Sequence, residues 1–238
     1  MKKNKMLVLL VLLSSVTMCA CDSKDLKEEV TNEVVTSEST ETVEVTDMTD
    51  SIDYSGYDEL IKKVTEEIKG GMTQEEADSL GISYAFCYDI AVDDTRGYLR
   101  RDLDGDGIEE LILGNNIDNG EIYDVYTLKD GKMVHTIMGW GRCFYTLCEN
   151  GTLANYGSGG ASFYGYTYYN YNGQIITNGT TDGLIESVTY DGDRDANNPW
   201  FYSNTNIYDQ DAEPITVEKV NEIMSCYEYV TLEFTTFK

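Results

Sequence analysis

The sequence is short of basic residues. Among 238 residues, 17 are Lys or Arg and 43 are Asp or Glu, which gives a formal net charge of −26. A protein that binds nucleic acid or a negatively charged membrane surface needs a basic face, because it must compensate phosphate charge. The composition therefore excludes a nucleic-acid partner and favours an acidic body that attracts cations.

The chain also has little that resembles a catalytic centre. His135 is the only histidine, so zinc sites with paired histidines are excluded. No G-x-S-x-G motif is present. Pairs of carboxylates suited to glycoside hydrolysis stay open, because a chain this acidic always contains some. We expect a protein that is not an enzyme, with a surface hydrolase acting on glycans as the alternative.

The hydrophobic run at the N-terminus is too short to span a bilayer. Met6–Leu13 follows three lysines and precedes small polar residues, which is the layout of a secretory signal. The segment Met18 to Cys21 resembles a bacterial lipobox. This resemblance implies a signal peptide over residues 1–20 and a lipid anchor on Cys21, which would hold the protein on the extracellular face of the cell membrane. Ordinary secretion is the alternative.

The residues after Cys21 lack the apolar side chains that a folded domain needs. The segment 22–53 has eleven acidic residues and no aromatic residue, so it cannot bury enough apolar surface to offset the ordering of the chain. We predict a disordered acidic tether over residues 21–53 and a single domain over residues 54–238.

The start of this domain has a helical pattern. Apolar residues recur at helical spacing from Tyr57 to Ile68 and stop at Gly70 and Gly71. Thr73 and Glu76 form the pattern of a capping box that opens a second helix, which Gly81 ends. Residues 82–90 fit a helix or a strand.

From Tyr98 onward, short runs of β-branched and aromatic residues alternate with Asp-Gly and Asn-Gly turns. These turns predict hairpins that join Val125–Leu128 to Met133–Ile137 and Phe144–Leu147 to Thr152–Ala154. Near the C-terminus, Thr216 begins a helix that carries Val220, Ile223, Met224 and Tyr227, and a last strand follows over Tyr229–Phe234. The predicted fold class is α+β: an antiparallel β-meander with N-terminal helices and one C-terminal helix followed by a last strand.

Acidic residues alternate around two glycines between Asp102 and Glu110. Several oxygens then converge on one point, and a cation relieves the repulsion between the acids. The loop resembles the D-x-D-x-D-G-x-x-D/E calcium loop of FG-GAP and integrin-type repeats. This resemblance implies calcium as the cofactor, bound by side chains and by the Ile108 carbonyl group; the five ligands would come from Asp102, Asp104, Asp106, Ile108 and Glu110. A plain acidic hairpin is the alternative.

The lipobox, the tether, the acidic loop and the tyrosine-rich strand at Ile122–Tyr126 together resemble a family of uncharacterised surface lipoproteins of Gram-positive bacteria. The resemblance covers most of residues 57–238, and the acidic loop is its one specific motif. It implies the location and the architecture of the protein.

Two further patterns suggest binding sites. Alternating acids suggest a second metal loop, although Ala196 occupies the position of the turn glycine, so a solvated acidic loop is the alternative; the acids are Asp191, Asp193 and Asp195. Three tyrosines would share one face of a strand and form either a strip for a glycan or a peptide or a packed face of the core; they are Tyr164, Tyr166 and Tyr168.

Four cysteines follow the predicted lipidation site. Cys143 and Cys148 point to opposite sides of one predicted strand, so they are not expected to pair. The sequence is compatible with two states: a disulfide between Cys87 and Cys226, or four free thiols. The whole pattern predicts a lipid-anchored extracellular binding or adhesion module with a structural calcium site.

Overall fold

The computed structural model describes residues 52–87, 95–177, 180–205 and 209–237. The predicted signal peptide, the lipidation site at Cys21 and the tether up to residue 51 lie outside the described residues, as do residues 88–90. Within the part of the chain that is described, no helix is both long enough and apolar enough to cross a membrane.

The N-terminal helices end where the sequence predicts. The first helix, α1, spans Ser55–Gly70, and Gly71 follows it in the left-handed conformation with φ 85°. The second, α2, spans Gln74–Leu80. Its capping box is complete, because Thr73 accepts from the Glu76 N–H group while the Glu76 carboxylate accepts from the Thr73 N–H group. A short 3-10 helix, Tyr84–Cys87, comes next.

Eleven strands follow in the part of the chain that the structure describes. They are β1 (Arg96–Arg101), β2 (Glu110–Asn115), β3 (Glu121–Lys129), β4 (Lys132–Met138), β5 (Cys143–Leu147), β6 (Thr152–Gly160), β7 (Phe163–Asn170), β8 (Leu184–Asp191), β9 (Trp200–Ser203), β10 (Glu213–Pro214) and β11 (Thr235–Thr236). They form one sheet in the order β10-β9-β8-β7-β6-β5-β3-β2-β1-β11, and β4 pairs with β3 beside this path. All strand pairs are antiparallel, so the α+β prediction with a β-meander is confirmed.

Both predicted hairpins are present. Val125 pairs with Ile137 in the β3–β4 hairpin, and Leu147 pairs with Leu153 in the β5–β6 hairpin. The β3–β4 turn needs positive φ at both central positions, and Asp130 and Gly131 have φ values of 52° and 69°. The turn sets the β3–β4 register as far as the Tyr126–His135 pair, and a β-bulge between Val125 and Tyr126 shifts it by one residue beyond that point.

The last helix, α3, spans Val217–Met224, and its N-cap Thr216 accepts from the Lys219 N–H group. The strand predicted at Tyr229–Phe234 is displaced, since β11 lies one residue beyond that range and pairs with β1. The preceding residues are extended and bury Leu232 and Phe234. Two of their N–H groups bond to loop residues: Leu232 donates to the Asn119 carbonyl and Phe234 to the Asn116 side chain, whereas Val230 donates to the Leu147 carbonyl of β5.

The helices pack on one face of the sheet at two separate places. Helix α1 covers β2 and β3, with Tyr57 and Val64 against Leu111 and Leu113. Helix α3 covers β6 to β8, with Val220 and Ile223 against Ala154, Tyr168 and Val188. A third apolar cluster lies on the opposite face and includes Ile122, Tyr145, Leu153 and Phe234. We call the face under the helices the helix face and the other the open face.

The four described cysteines are free thiols. Cys143 and Cys148 are buried, Cys87 is half-buried and Cys226 is exposed.

Candidate functional site

The acidic loop joins β1 to β2 and folds around its own carboxylates. Asp102 accepts hydrogen bonds from the N–H groups of Gly105 and Gly107, at 2.7 and 3.0 Å. Asp106 accepts from Ile108 at 2.7 Å. Both glycines have positive φ, 79° and 88°, which lets the backbone curl around the acids.

This curl brings three of the predicted ligands together. Asp102, Asp104 and Asp106 each present a carboxylate oxygen within 4.8 Å of the other two. Burial, and after it the charge of Asp106, raises the pKa of Asp104. Gly173, in the turn after β7, lies close to the Asp104 carboxylate. A Cβ atom added to Gly173 would be 3.5 Å from Asp104 Oδ2. A cation would relieve the repulsion in this cluster.

Glu110 and Ile108, the other two predicted ligands, lie deeper. The Glu110 side chain is fully buried at the start of β2. Its carboxylate accepts from the Leu103 N–H group at 2.8 Å and from the Thr127 hydroxyl at 2.9 Å, one bond on each oxygen. Burial raises its pKa to about 7. The Ile108 side chain packs against the cluster under α1. Glu110 thus fastens the loop to β3 and lies outside the close group of aspartates.

The second predicted metal loop uses its acids differently. Asp191 accepts from the Arg194 N–H group, Asp193 from the Ser162 hydroxyl and Asp195 from the Asn197 N–H group. Asp191 and Asp195 thus stabilise their own turn, whereas Asp193 connects it to the β6–β7 turn. Among the described residues, the group at 102–106 is the one set of acids with the close spacing of metal ligands.

The three tyrosines of the predicted strip have different surroundings. Tyr168 is fully buried under α3 and stacks on Tyr227, so it belongs to the core. Tyr164 stacks on Tyr190 with ring centroids 4.8 Å apart, and Trp200 meets both rings edge-on. Tyr166 is half-buried and contacts Tyr156 at 5.4 Å. On the helix face, Tyr164 and Tyr166 are therefore accessible to a ligand, whereas Tyr168 is not.

A cleft of about 350 Å³ opens beside Tyr166. Its aromatic wall consists of Phe144, Tyr156, Tyr166 and Tyr229, which come from β5, β6, β7 and the C-terminal segment. The β2–β3 turn supplies Asp118 and Asn119 to the other wall, and the first residue of β3, Glu121, completes it. We call this space the aromatic cleft. Sequence analysis missed its members apart from Tyr166, because strands distant in sequence bring them together.

The single histidine belongs to a buried polar group on β3 and β4. His135 Nε2 lies 3.0 Å from Asp124 Oδ1, although it makes no hydrogen bond of acceptable geometry. The His135 ring stacks on Tyr126 with centroids 4.2 Å apart. Asp124 accepts from the Ser83 N–H group, and the Ser83 hydroxyl donates to the Gly139 carbonyl. The hydroxyl is thus directed to the backbone and away from His135, so this group is structural.

Comparison with known proteins adds no family. No protein-family model, no curated protein and no solved structure matches the chain. The candidate site therefore rests on its own geometry: an acidic loop at one end of the sheet and an aromatic cleft on its helix face.

Proposed function

We propose that this protein is a non-catalytic binding or adhesion module that holds an extracellular glycan or peptide chain in the aromatic cleft. The aromatic cleft is the observation that carries the proposal. Its four rings provide flat apolar surface, and Asp118, Asn119 and Glu121 provide hydrogen-bond acceptors along the opposite wall. Sugar rings and peptide side chains both combine apolar faces with polar edges. Such a ligand could contact the aromatic rings on one wall of the cleft and the hydrogen-bond acceptors on the other.

Two parts of the proposal rest on the sequence. The lipobox supports an anchor on Cys21 that holds the module at the extracellular face of the cell membrane, with the acidic tether between the anchor and the domain. The spacing of Asp102, Asp104 and Asp106 supports a calcium ion that stabilises the β1–β2 connection. Calcium would act on folding here, because the loop lies apart from the residues that line the cleft.

A binding measurement tests the cleft. The purified domain is applied to arrays of bacterial and host polysaccharides and of peptides, and retention is compared with that of Tyr166→Ala and Tyr156→Ala. Removing either ring should weaken retention about tenfold, because a stacked aromatic ring contributes about 1–2 kcal/mol. Tyr190→Ala is the matched control, since Tyr190 lies on the same face but outside the cleft. Equal retention by all four proteins would contradict the proposal.

A hydrolase is the second candidate, because two carboxylates line the same cleft. Glu121 is held in place by bonds from Asn115 Nδ2 and the Tyr123 hydroxyl, and Asp118 follows β2 in the turn. An enzyme of this kind would release new reducing ends from a retained polysaccharide, and Glu121→Gln would stop that release while the ligand still bound. Retention without any release favours the binding module.

A further inference from the structure

The open face of the sheet carries a second cavity, on the side opposite the aromatic cleft. Its volume is about 280 Å³, and its floor lies where β5, β6, β7 and β8 run side by side. Cys143 pairs with Gly157, Gly157 with Gly165, and Gly165 with Thr189, so the four residues form one row across the strands. The two central positions lack side chains, which leaves a trough. We call this space the glycine groove.

The two glycines create the trough for different reasons. A Cβ atom on Gly165 would overlap the Val188 carbonyl oxygen, so the close approach of β8 requires glycine there. A Cβ atom on Gly157 would meet only the Asn155 side-chain oxygen, at 3.7 Å. A side chain at residue 157 would therefore extend into the groove without disturbing the sheet.

Two threonine hydroxyls in this groove have no hydrogen-bond partner among the described residues. Thr167 is 3% exposed and Thr189 is 9% exposed, and both line the cavity. Neither hydroxyl makes a hydrogen bond with any residue that the structure describes. Both oxygen atoms keep contact with the cavity, because neither is among the fully buried side-chain atoms of the described residues that lack a hydrogen-bond partner, which are His135 Nε2 and the Tyr168 hydroxyl oxygen. Two such groups facing one cavity indicate a place prepared for a polar ligand.

The other residues that line the groove indicate the chemical class of that ligand. None of the ten lining residues carries a charged side chain, and burial raises the pKa of the Cys143 thiol, which keeps it neutral. Trp140 and Phe163 add aromatic surface. Two basic residues lie near this lining. Arg142 precedes Cys143 but is exposed and does not line the groove. Arg194 lies over the Phe201 ring and donates to the carbonyls of residues 209, 210 and 212, so it is already engaged.

We propose that the glycine groove binds a single uncharged sugar ring, with Thr167 and Thr189 bonding to its hydroxyls and Trp140 and Phe163 contacting its apolar face. A neutral pyranose has both the hydroxyls that unpaired threonines require and the flat C–H surface that aromatic rings contact. The volume lies just below the range of about 300–1,000 Å³ that holds drug-sized ligands, so it suits one ring and not a chain. This site is separate from the aromatic cleft, because the two cavities lie on opposite faces.

The chain allows a test specific to this groove. It has two tryptophans, Trp140 at the groove and Trp200 on the helix face. Trp200→Phe leaves Trp140 as the only indole, so its emission reports on the groove alone. This protein is titrated with glucose, galactose and N-acetylglucosamine, and with glucosamine and glucuronate as charged analogues. We expect saturation by at least one neutral sugar with a dissociation constant on the order of 1 mM.

Variants in the same background separate binding from folding. Gly157→Val fills the groove and should reduce affinity at least about tenfold with little change in melting temperature, since valine favours strands. Thr167→Val and Thr189→Val keep the volume but lose the hydroxyl, and each should weaken binding about fivefold. Thr146→Val makes the same change on the opposite face, and Tyr166→Ala alters the aromatic cleft, so both should bind sugar normally.

Three results would overturn this inference: no saturable change of Trp140 emission with any neutral sugar, equal affinity in the Gly157→Val protein, or tighter binding of a charged analogue. The first would leave the groove as a hydrated cavity only. These results are independent of the aromatic cleft, whose failure would appear in the retention assay and not in the emission of Trp140.

Discussion

Tyr168 lies flat against Tyr227, with ring centroids 3.6 Å apart and ring planes 7° from parallel. The Tyr227 hydroxyl donates to Glu186 Oε1 at 2.7 Å, whereas the buried Tyr168 hydroxyl has no hydrogen-bond partner among the residues that the structure describes. This stack joins β7 to the segment that follows α3. It explains why a tyrosine from the predicted binding strip belongs to the core.

The unpaired hydroxyl makes Tyr168→Phe a stabilising change. The variant keeps the stacked ring and removes a buried polar group, so the free energy of unfolding should rise by about 1 kcal/mol. Tyr227→Phe is the matched control; it removes a hydrogen bond and should lower that free energy by about 1 kcal/mol. Urea unfolding followed by circular dichroism measures both. A lower stability of Tyr168→Phe would mean that the hydroxyl has a partner after all.

Features determined by neighbours in sequence could be predicted from the sequence. The capping box of α2 needs only Thr73 and Glu76, three residues apart, and the β3–β4 turn needs only Asp130 and Gly131. The Asp102–Asp106 group also forms within five residues. In each case the local spacing places the interacting atoms, so no distant contact was needed.

Features that depend on register across strands could not be predicted. Thr167 and Thr189 share the groove only because β7 and β8 align Gly165 with Thr189, and the alternation of residues along each strand turns Thr167 on β7 and Thr189 on β8 to the open face. The burial of Tyr168 depends on α3, about fifty residues later in the chain. Small and polar residues at every second position of β6, β7 and β8 were the available signal for the groove.

Calcium should stabilise the domain through the acidic loop. With calcium at about one hundred times its dissociation constant, the melting temperature of the chelated protein should rise by about 5–10 °C. Asp104→Ala should abolish the rise, because Asp104 is the central member of the cluster. Asp193→Ala should keep it, since that carboxylate is engaged with Ser162. Differential scanning calorimetry in calcium, in magnesium and in chelator measures these shifts, and no shift at millimolar calcium would refute the metal site.

The buried carboxyl of Asp124 should make stability depend on pH. Burial raises its pKa in the folded state, although the His135 ring and the Ser83 N–H group oppose this. The pKa of an aspartate in an unfolded chain is about 3.9, so the folded protein holds this proton more tightly. The resulting stabilisation is complete below pH 3.9 or so and is lost as the pH rises through the folded pKa.

Asp124→Asn removes that dependence while it keeps an acceptor for the Ser83 N–H group. The stability of the variant relative to the unmodified protein should therefore increase steadily from pH 4 to pH 7, as urea midpoints across this range would record. Other titrating groups are common to both proteins and cancel in the difference. The opposite slope would show that Ser83 and His135 hold the carboxylate in its charged form.

Thiol reactivity should follow the burial of the four cysteines. In the native domain, iodoacetamide should modify the exposed Cys226 first and the half-buried Cys87 more slowly. Cys148 should stay unmodified until the protein unfolds, since burial raises the pKa of its thiol to about 11 and the thiolate is the reactive form. Cys143 should behave in the same way, because its buried thiol accepts from Asn155 Nδ2.

Peptide mass spectrometry after timed labelling gives the order of modification, and Cys226→Ser is the control that removes the fast phase. Modification of Cys143 and Cys148 at the rate of Cys226 would contradict the burial of these two thiols. A linked pair of peptides that contain Cys87 and Cys226, with a mass about two units below the sum of the two free peptides, would reveal the disulfide that the structure lacks.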